Sequence, residues 1–226
     1  MKIKLRIIAL FLAFLISVSM LSSCSFLPFG ATDMSAEQVY SKASSAVVCV
    51  LMETTGLSVN GTGFFVNDSG VVLTAYHVVS NVSNGKVQLA DLTTAKITSV
   101  IAYDESLDLA LLQTEAKNTP YLSFADSSRV NIGESVYTIG YPRAYTVGTS
   151  SPTFTSGMVS AWRKHSGVTY IQSTVDVTDG NSGGALLNSR GEVIGVVASS
   201  ISIEGVDYMN LALPSNSAKT FVVDNV

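Results

Sequence analysis

The sequence has few of the residues that form disulfide bonds or bind metal ions. Its 226 residues include two cysteines and two histidines, and only 13% of them are charged. Cys24, Cys49, His77 and His165 lie far apart in the chain, without the spacing of a metal site. We therefore expect no metal ion and no other cofactor, and a fold stabilised by its hydrophobic core rather than by disulfide bonds.

Positive charge is also scarce. Three of the 13 basic residues precede Cys24 and all 17 acidic residues follow it, so the chain beyond this cysteine has a net charge of −7 (10 − 17). There is no run of Lys and Arg and no alternation of basic with aromatic residues. Nucleic acid is therefore not expected as a partner.

Long hydrophobic runs are absent except near the start of the chain. A basic segment at residues 2–6 precedes an apolar run at residues 7–20, and small residues then lead to Cys24. This order is typical of a secretory signal, and the run is short for a membrane span. The alternative is an uncleaved membrane anchor in which Cys24 has no role.

The segment Leu21-Ser22-Ser23-Cys24 resembles the lipobox of bacterial lipoproteins. The resemblance implies a signal peptide at residues 1–23, an acylated Cys24 and a tether at residues 24–34. It also implies a protein held by lipid at the extracytoplasmic side of the cell membrane.

The chain from residue 35 onward has the pattern of short strands separated by Gly, Asn, Asp and Ser turns. Residues 115–133 interrupt this pattern as a linker. We predict an all-β fold of two packed six-stranded antiparallel barrels, at about 45–114 and about 134–214. The predicted strands are 47–52, 61–66, 71–75, 86–90, 96–103, 109–114, 135–140, 153–162, 169–173, 185–188, 193–199 and 209–213.

Two short helices complete the prediction. Ser35 and Gln38 form a capping-box pattern, which predicts a helix to Ser44. A second helix is expected after the last strand, with Asn216 or Ser217 as its N-cap. Cys49 lies in an apolar strand, so we interpret it as a small core residue rather than a catalytic one.

Ser182 lies among glycines, directly before an apolar run. A serine nucleophile needs a base to take its proton and fixed donors for the oxyanion that it forms. Gly180 would allow the amides of Gly180 and Ser182 to converge, while Gly183 and Gly184 would leave room for a substrate backbone. The alternative is a turn-rich loop without catalytic function.

His77 and Asp108 are the candidate partners of this serine. His77 lies in an apolar run, whereas His165 lies in the polar turn of an expected exposed hairpin. Asp108 lies between two leucines, where burial is costly unless a group such as an imidazole Nδ1–H pairs with it. The competing acid is Asp104, but it lies in a more polar segment, so Asp108 is preferred. The alternatives are that His77 is a structural residue and that Asp108 is a turn carboxylate.

The order His, Asp, Ser, together with the expected two barrels, resembles the chymotrypsin-like serine proteases, and in particular the bacterial HtrA/Deg type. The likeness covers about residues 40–218. It implies that His77 is the general base, that Asp108 orients it and that Ser182 is the nucleophile, with the Gly180 and Ser182 amides as the oxyanion hole. The motifs that carry it are GTGFFV (61–66), LTAYHVV (73–79), DLALL (108–112), IGYP (139–142), TSGMVS (155–160), GNSGGAL (180–186), GEVIG (191–195) and LALP (211–214).

The family likeness implies a serine endopeptidase that cleaves proteins or peptides, unfolded ones included, in quality control or processing. A protease-fold binding protein that is inactive, or that requires an activator, is the second hypothesis. A lipase or esterase is a weaker third, because its Gly-x-Ser-x-Gly motif requires the acid and the histidine to follow the serine. Since the chain ends at Val226, we expect no appended peptide-binding domain; the oligomeric state stays open.

The segment before the serine departs from the family pattern, which has a proline directly before Gly-Asn-Ser. Asp176 lies six residues before Ser182, where trypsin-like members carry their specificity aspartate, so it could favour Lys or Arg at the P1 position. Alternatively, Asp176 faces solvent, and the apolar residues Val196, Val197 and Ala198 line a pocket for small or aliphatic P1 side chains.

Overall fold

The strands pair into two closed antiparallel barrels of six strands each within the described part of the chain, which confirms the predicted all-β class. The computed structural model describes residues 33–53, 58–80, 84–142, 144, 151–203 and 206–226. The predicted signal peptide and Cys24 lie outside these residues.

Barrel one is formed by the first half of the chain. Its strands are β1 (Val47–Glu53), β2 (Ser58–Phe65), β3 (Val71–Thr74), β4 (Asn84–Gln88), β5 (Thr94–Asp104) and β6 (Leu109–Thr114). They close in the order β1-β2-β3-β6-β5-β4, so β3 lies beside β6 although two strands separate them in sequence. This pairing brings the ends of two distant segments together.

Barrel two is formed by the second half and closes in the order β10-β11-β12-β9-β8-β7. Residues 115–133 connect the barrels without a strand of their own. The strands of this barrel are β7 (Ser135–Gly140), β8 (Thr153–His165), β9 (Val168–Ser173), β10 (Ala185–Leu187), β11 (Val193–Ile203) and β12 (Val206–Pro214).

The hydrophobic core has three parts, and alternate residues of a strand enter different ones. In β1, Val48 and Val50 pack inside barrel one, whereas Val47 and Cys49 pack in a core that both barrels share. A third cluster fills barrel two. Because both faces of β1 are buried, its sequence is a continuous apolar run rather than an alternating one.

Burial raises the pKa of the Cys49 thiol to about 12, so it stays protonated and unreactive near neutral pH.

Helix α1 (Ala36–Ala43) begins as predicted. The backbone N–H of Ser35 donates to the side chain of Gln38, and the N–H of Gln38 donates to the Ser35 hydroxyl, at 2.9 and 3.3 Å. Helix α2 (Tyr76–Val79), a single turn shortly after β3, has no counterpart among the predicted elements. It carries His77.

Helix α3 (Ser215–Asn225) shows that the predicted N-caps are wrong. Pro214 holds the N-cap position and makes no side-chain hydrogen bond to the helix. Asn216 lies inside the helix, where its side chain accepts from the Ser127 N–H at 3.1 Å and donates to Asp126 at 2.8 Å. It therefore ties the helix to the linker between the barrels.

His165 differs slightly from expectation. It is the last residue of β8 and pairs with Val168, so the turn consists of Ser166 and Gly167 alone, both at positive φ. Such two-residue turns match the twist of the strands they join.

Among the described residues, no helix has the length and apolar character that a bilayer crossing requires.

Candidate active site

The His77 side chain is paired with Asp108. The Nδ1 atom of His77 lies 2.7 Å from Oδ2 of Asp108, and the backbone N–H of His77 donates to Oδ1 at 2.9 Å. Both carboxylate oxygens are therefore bound by the same residue. The side chains are 45% and 34% exposed, so the pair lies at the surface rather than in the core.

The pairing of β3 with β6 creates this contact. Thr74 at the end of β3 lies opposite Ala110 near the start of β6, so the residues just beyond these ends are neighbours. His77 follows β3 on α2, and Asp108 precedes β6. Asp108 has φ +54°, an unusual conformation for a residue other than glycine. The Tyr76 N–H donates to the Asp108 carbonyl at 3.1 Å, which fixes the two backbones together.

Asp104, the competing acid, serves the turn between β5 and β6 instead. Its Oδ1 accepts from the N–H and the hydroxyl of Ser106, at 2.8 and 2.7 Å, and from the N–H of Leu107 at 3.0 Å. The Ser106 hydroxyl is the main reason that the pKa of Asp104 is lowered. The geometry thus pairs Asp108, and not Asp104, with the imidazole.

Tyr76 anchors the same region. Its ring stacks on Tyr103 with centroids 4.8 Å apart, and its hydroxyl donates to Glu105 at 3.0 Å. That hydrogen bond raises the pKa of Tyr76. Tyr76 therefore ties the His77 helix to the turn that leads to Asp108.

The Ser182 loop of barrel two lies against β2 and β3 of barrel one. The Thr62 N–H donates to the Ser182 carbonyl at 2.9 Å, and the Gly183 N–H donates to Val197 of β11 at 2.8 Å. Ser182 is only 4% exposed. Hydrogen bonds therefore attach the loop to barrel one at Ser182 and to β11 of barrel two at Gly183. The Ser182 backbone and the His77–Asp108 pair thus both adjoin the β2–β3 part of barrel one.

Gly183 has a different role from the one that the sequence suggested. It has φ +83°, and a Cβ there would overlap the Thr62 carbonyl, the Thr74 hydroxyl and the Ala75 amide. At Gly184 an added Cβ would lie 2.9 Å from the Asn181 carbonyl oxygen, which is also too close. The glycine at 183 is thus required by the close approach of the barrel-one backbone, whereas room for a substrate was expected.

Gly183→Ala is expected to destabilise the protein by about 3 kcal/mol, because it combines backbone strain with a clash against main-chain atoms. Urea denaturation measures the loss. Gly133→Ala is the matched control, since Gly133 has a similar φ of +91° but no atom within 4 Å of the added Cβ. An equal loss of stability in both variants would show that close packing at Gly183 contributes nothing.

The four residues predicted to line the P1 pocket lie in different environments. Val196 and Val197 are each 2% exposed and enter the shared core and the barrel-two core respectively. Ala198 is half-buried and Asp176 is exposed. Strand β11 runs beside the serine loop, because the Val197 N–H donates to the Gly184 carbonyl at 2.8 Å. A role for these four residues in P1 selection stays a prediction.

The two-barrel fold agrees with a family model. Residues 61–196 match the model of the trypsin-like peptidase domain, and the chain belongs to this family. Two curated relatives carry the names of periplasmic serine proteases. The chain is 33% identical over 171 residues to a probable DegP-like periplasmic serine endoprotease of Rickettsia prowazekii, with 72% of this chain and 32% of that protein aligned. It is 38% identical over 171 residues to a probable do/HhoA-like periplasmic serine protease of Haemophilus influenzae, with 72% and 35% aligned.

Solved structures agree with these relatives. The HtrA-type protease AlgW, solved with a tripeptide, superposes with a TM-score of 0.75 at 27% identity, covering 84% of this chain and 63% of that one. A serine endoprotease from Yersinia pestis gives 0.72 at 28% identity, covering 86% and 67%. The predicted resemblance to HtrA-type proteases is confirmed. The chain spans about a third of the length of the curated relatives that it matches.

Proposed function

We propose that this protein is an extracytoplasmic serine endopeptidase in which Ser182 is the nucleophile, His77 the general base and Asp108 the residue that orients it. The observation that carries the proposal is the His77–Asp108 contact of 2.7 Å at the Nδ1 atom. When Nδ1–H donates to the carboxylate, the neutral ring has its lone pair on Nε2, where it can accept the serine proton.

The reaction has two steps, acylation and deacylation of Ser182, and His77 is the base in both. Ser182 Oγ adds to the substrate carbonyl while its proton passes to Nε2 of His77, and the Gly180 and Ser182 amides donate to the oxyanion. The C–N bond breaks as His77 returns the proton to the leaving amine, which leaves an acyl-enzyme. A water molecule, deprotonated by His77, releases the acid and restores the serine. Asp108 stabilises the imidazolium in both steps.

The substrates in this proposal are proteins or peptides, unfolded chains included, and the role is quality control or processing. Two relatives are named periplasmic proteases, and AlgW was solved with a tripeptide, which supports a peptide-binding cleft and a location outside the cytoplasm. The lipobox at Cys24 adds anchoring to the membrane. Mass spectrometry of the N-terminal peptide tests this part, and an unmodified Cys24 would contradict it.

A fluorophosphonate probe tests the activity directly, because it reacts only with a serine that a base has activated. We expect the wild-type protein to be labelled at Ser182 near neutral pH. Labelling should disappear in Ser182→Ala. A wild type that folds but is not labelled would favour the second hypothesis, an inactive or activator-dependent binding protein of the same fold.

A further inference from the structure

Thr62 connects the two barrels at the serine loop. It lies in β2 and is fully buried. Its hydroxyl donates to the Gly180 carbonyl at 2.7 Å and accepts from the Tyr141 N–H at 2.9 Å. Its backbone N–H donates to the Ser182 carbonyl at 2.9 Å. One residue of barrel one therefore holds two carbonyl groups of the barrel-two loop.

These two carbonyls flank the amide of Ser182. The Gly180 carbonyl belongs to the peptide unit before Asn181, and the Ser182 carbonyl belongs to the unit after Ser182. Gly180 has φ +96°, in a region where glycine rotates with little steric restriction. Contacts must therefore set the orientation of the Gly180–Asn181 peptide. The Thr62 hydroxyl donates to its carbonyl, and its N–H, that of Asn181, donates to the Thr178 carbonyl at 3.0 Å. A rotation at Gly180 would change the direction of the Ser182 amide relative to that of the Gly180 amide, so the two would no longer converge on one point.

We propose that Thr62 is a positioning residue for the oxyanion hole. Its hydroxyl acts through the Gly180 peptide. This inference rests on the proposed serine-protease function. Thr62 contacts the main-chain carbonyls of Gly180 and Ser182, and through them it determines where the two amide donors point. Because fixed donors stabilise the transition state more than the bound substrate, its loss should lower kcat more than it raises KM.

The ordinary alternative is a buried threonine that only stabilises the fold, and Thr114 provides a matched control. Its hydroxyl also donates to a glycine carbonyl, that of Gly70, at 2.8 Å, and accepts from the Ala116 N–H at 3.3 Å. It is 1% exposed. Thr114 ends β6, whereas Asp108 precedes it, so about 20 Å of extended strand separates the two.

The experiment compares Thr62→Val, Thr62→Ser and Thr114→Val by kcat, KM and urea denaturation. Valine keeps the shape of threonine and removes the hydroxyl, whereas serine keeps the hydroxyl. We expect Thr62→Val to lower kcat by about 10- to 100-fold with KM changed by less than about threefold. Thr62→Ser should retain most of kcat. Thr114→Val should retain kcat while losing stability to a similar extent as Thr62→Val.

Two outcomes would overturn the inference: equal kcat in Thr62→Val and Thr114→Val, or a loss in Thr62→Ser as large as in Thr62→Val. Hydrogen exchange gives a second measurement that needs no turnover. Amides of residues 179–184 should exchange faster in Thr62→Val than in Thr114→Val, and equal rates would contradict the positioning role. A wild type without activity would refute the proposed function, while the exchange rates would still decide whether Thr62 holds the loop.

Discussion

Replacing Ser182 with alanine is expected to lower kcat for cleavage of an unfolded protein by about 10⁶-fold. The change removes the atom that forms the acyl-enzyme, while the His77–Asp108 pair and the loop hydrogen bonds, which use main-chain atoms of Ser182, remain in place. Substrate binding should be little affected. The measurement is steady-state cleavage of a denatured, fluorescently labelled protein by equal concentrations of folded wild type and variant.

Ser215→Ala is the matched control for this variant. Ser215 is also a buried serine, and its hydroxyl donates to the Ala125 carbonyl at 2.7 Å, but it lies at the start of α3. It should lose some stability and keep its kcat. If Ser182→Ala cleaved the protein as fast as Ser215→Ala, Ser182 would not be the nucleophile and the proposed mechanism would fail.

Asp108→Asn is expected to lower kcat by about 10⁴-fold at neutral pH. The carboxylate now accepts two hydrogen bonds from His77, one at each oxygen. An asparagine of the same shape has one acceptor oxygen, and its NH₂ group can only donate. With the oxygen kept by the His77 backbone N–H, the NH₂ group faces Nδ1, which favours the tautomer with the proton on Nε2. The ring then lacks an acceptor for the serine proton.

Asp104→Asn separates this effect from a general loss of order in the β5–β6 turn. Asp104 lies four residues before Asp108, and its carboxylate caps the turn rather than contacting His77. We expect this variant to lose stability and to retain kcat within about threefold. Equal losses of kcat in the two variants would mean that the turn, and not the charge beside the imidazole, sustains activity.

The strands were predictable because their cause is local. In β1 the run Val47 to Met52 is apolar at every position, and the structure buries both faces, one inside barrel one and one against barrel two. The Ser35 capping box was predictable for the same reason, since both hydrogen bonds join residues three apart.

The two errors have different physical origins. Asparagine is a residue type favoured at N-caps, so Asn216 was expected to begin α3. Its side chain instead makes long-range hydrogen bonds with Asp126 and Ser127 of the linker. The single-turn helix α2 is too short to produce a periodic pattern, and it was hidden in the apolar run that begins in β3. Local rules fail where a partner about 90 residues away competes for the same atoms.

The sequence by itself determined the strand-rich class and the residue types of the candidate site: a serine between glycines, one histidine in an apolar run and an acid between leucines. It favoured Asp108 over Asp104 only through the apolar neighbours of Asp108, and no pattern singled out Thr62. The tertiary structure pairs Asp108 with His77 and brings Thr62 to the serine loop, because barrel closure places β3 beside β6 and packs β2 against that loop. Those contacts join residues 31 and 118 positions apart, and no local pattern encodes such a distance.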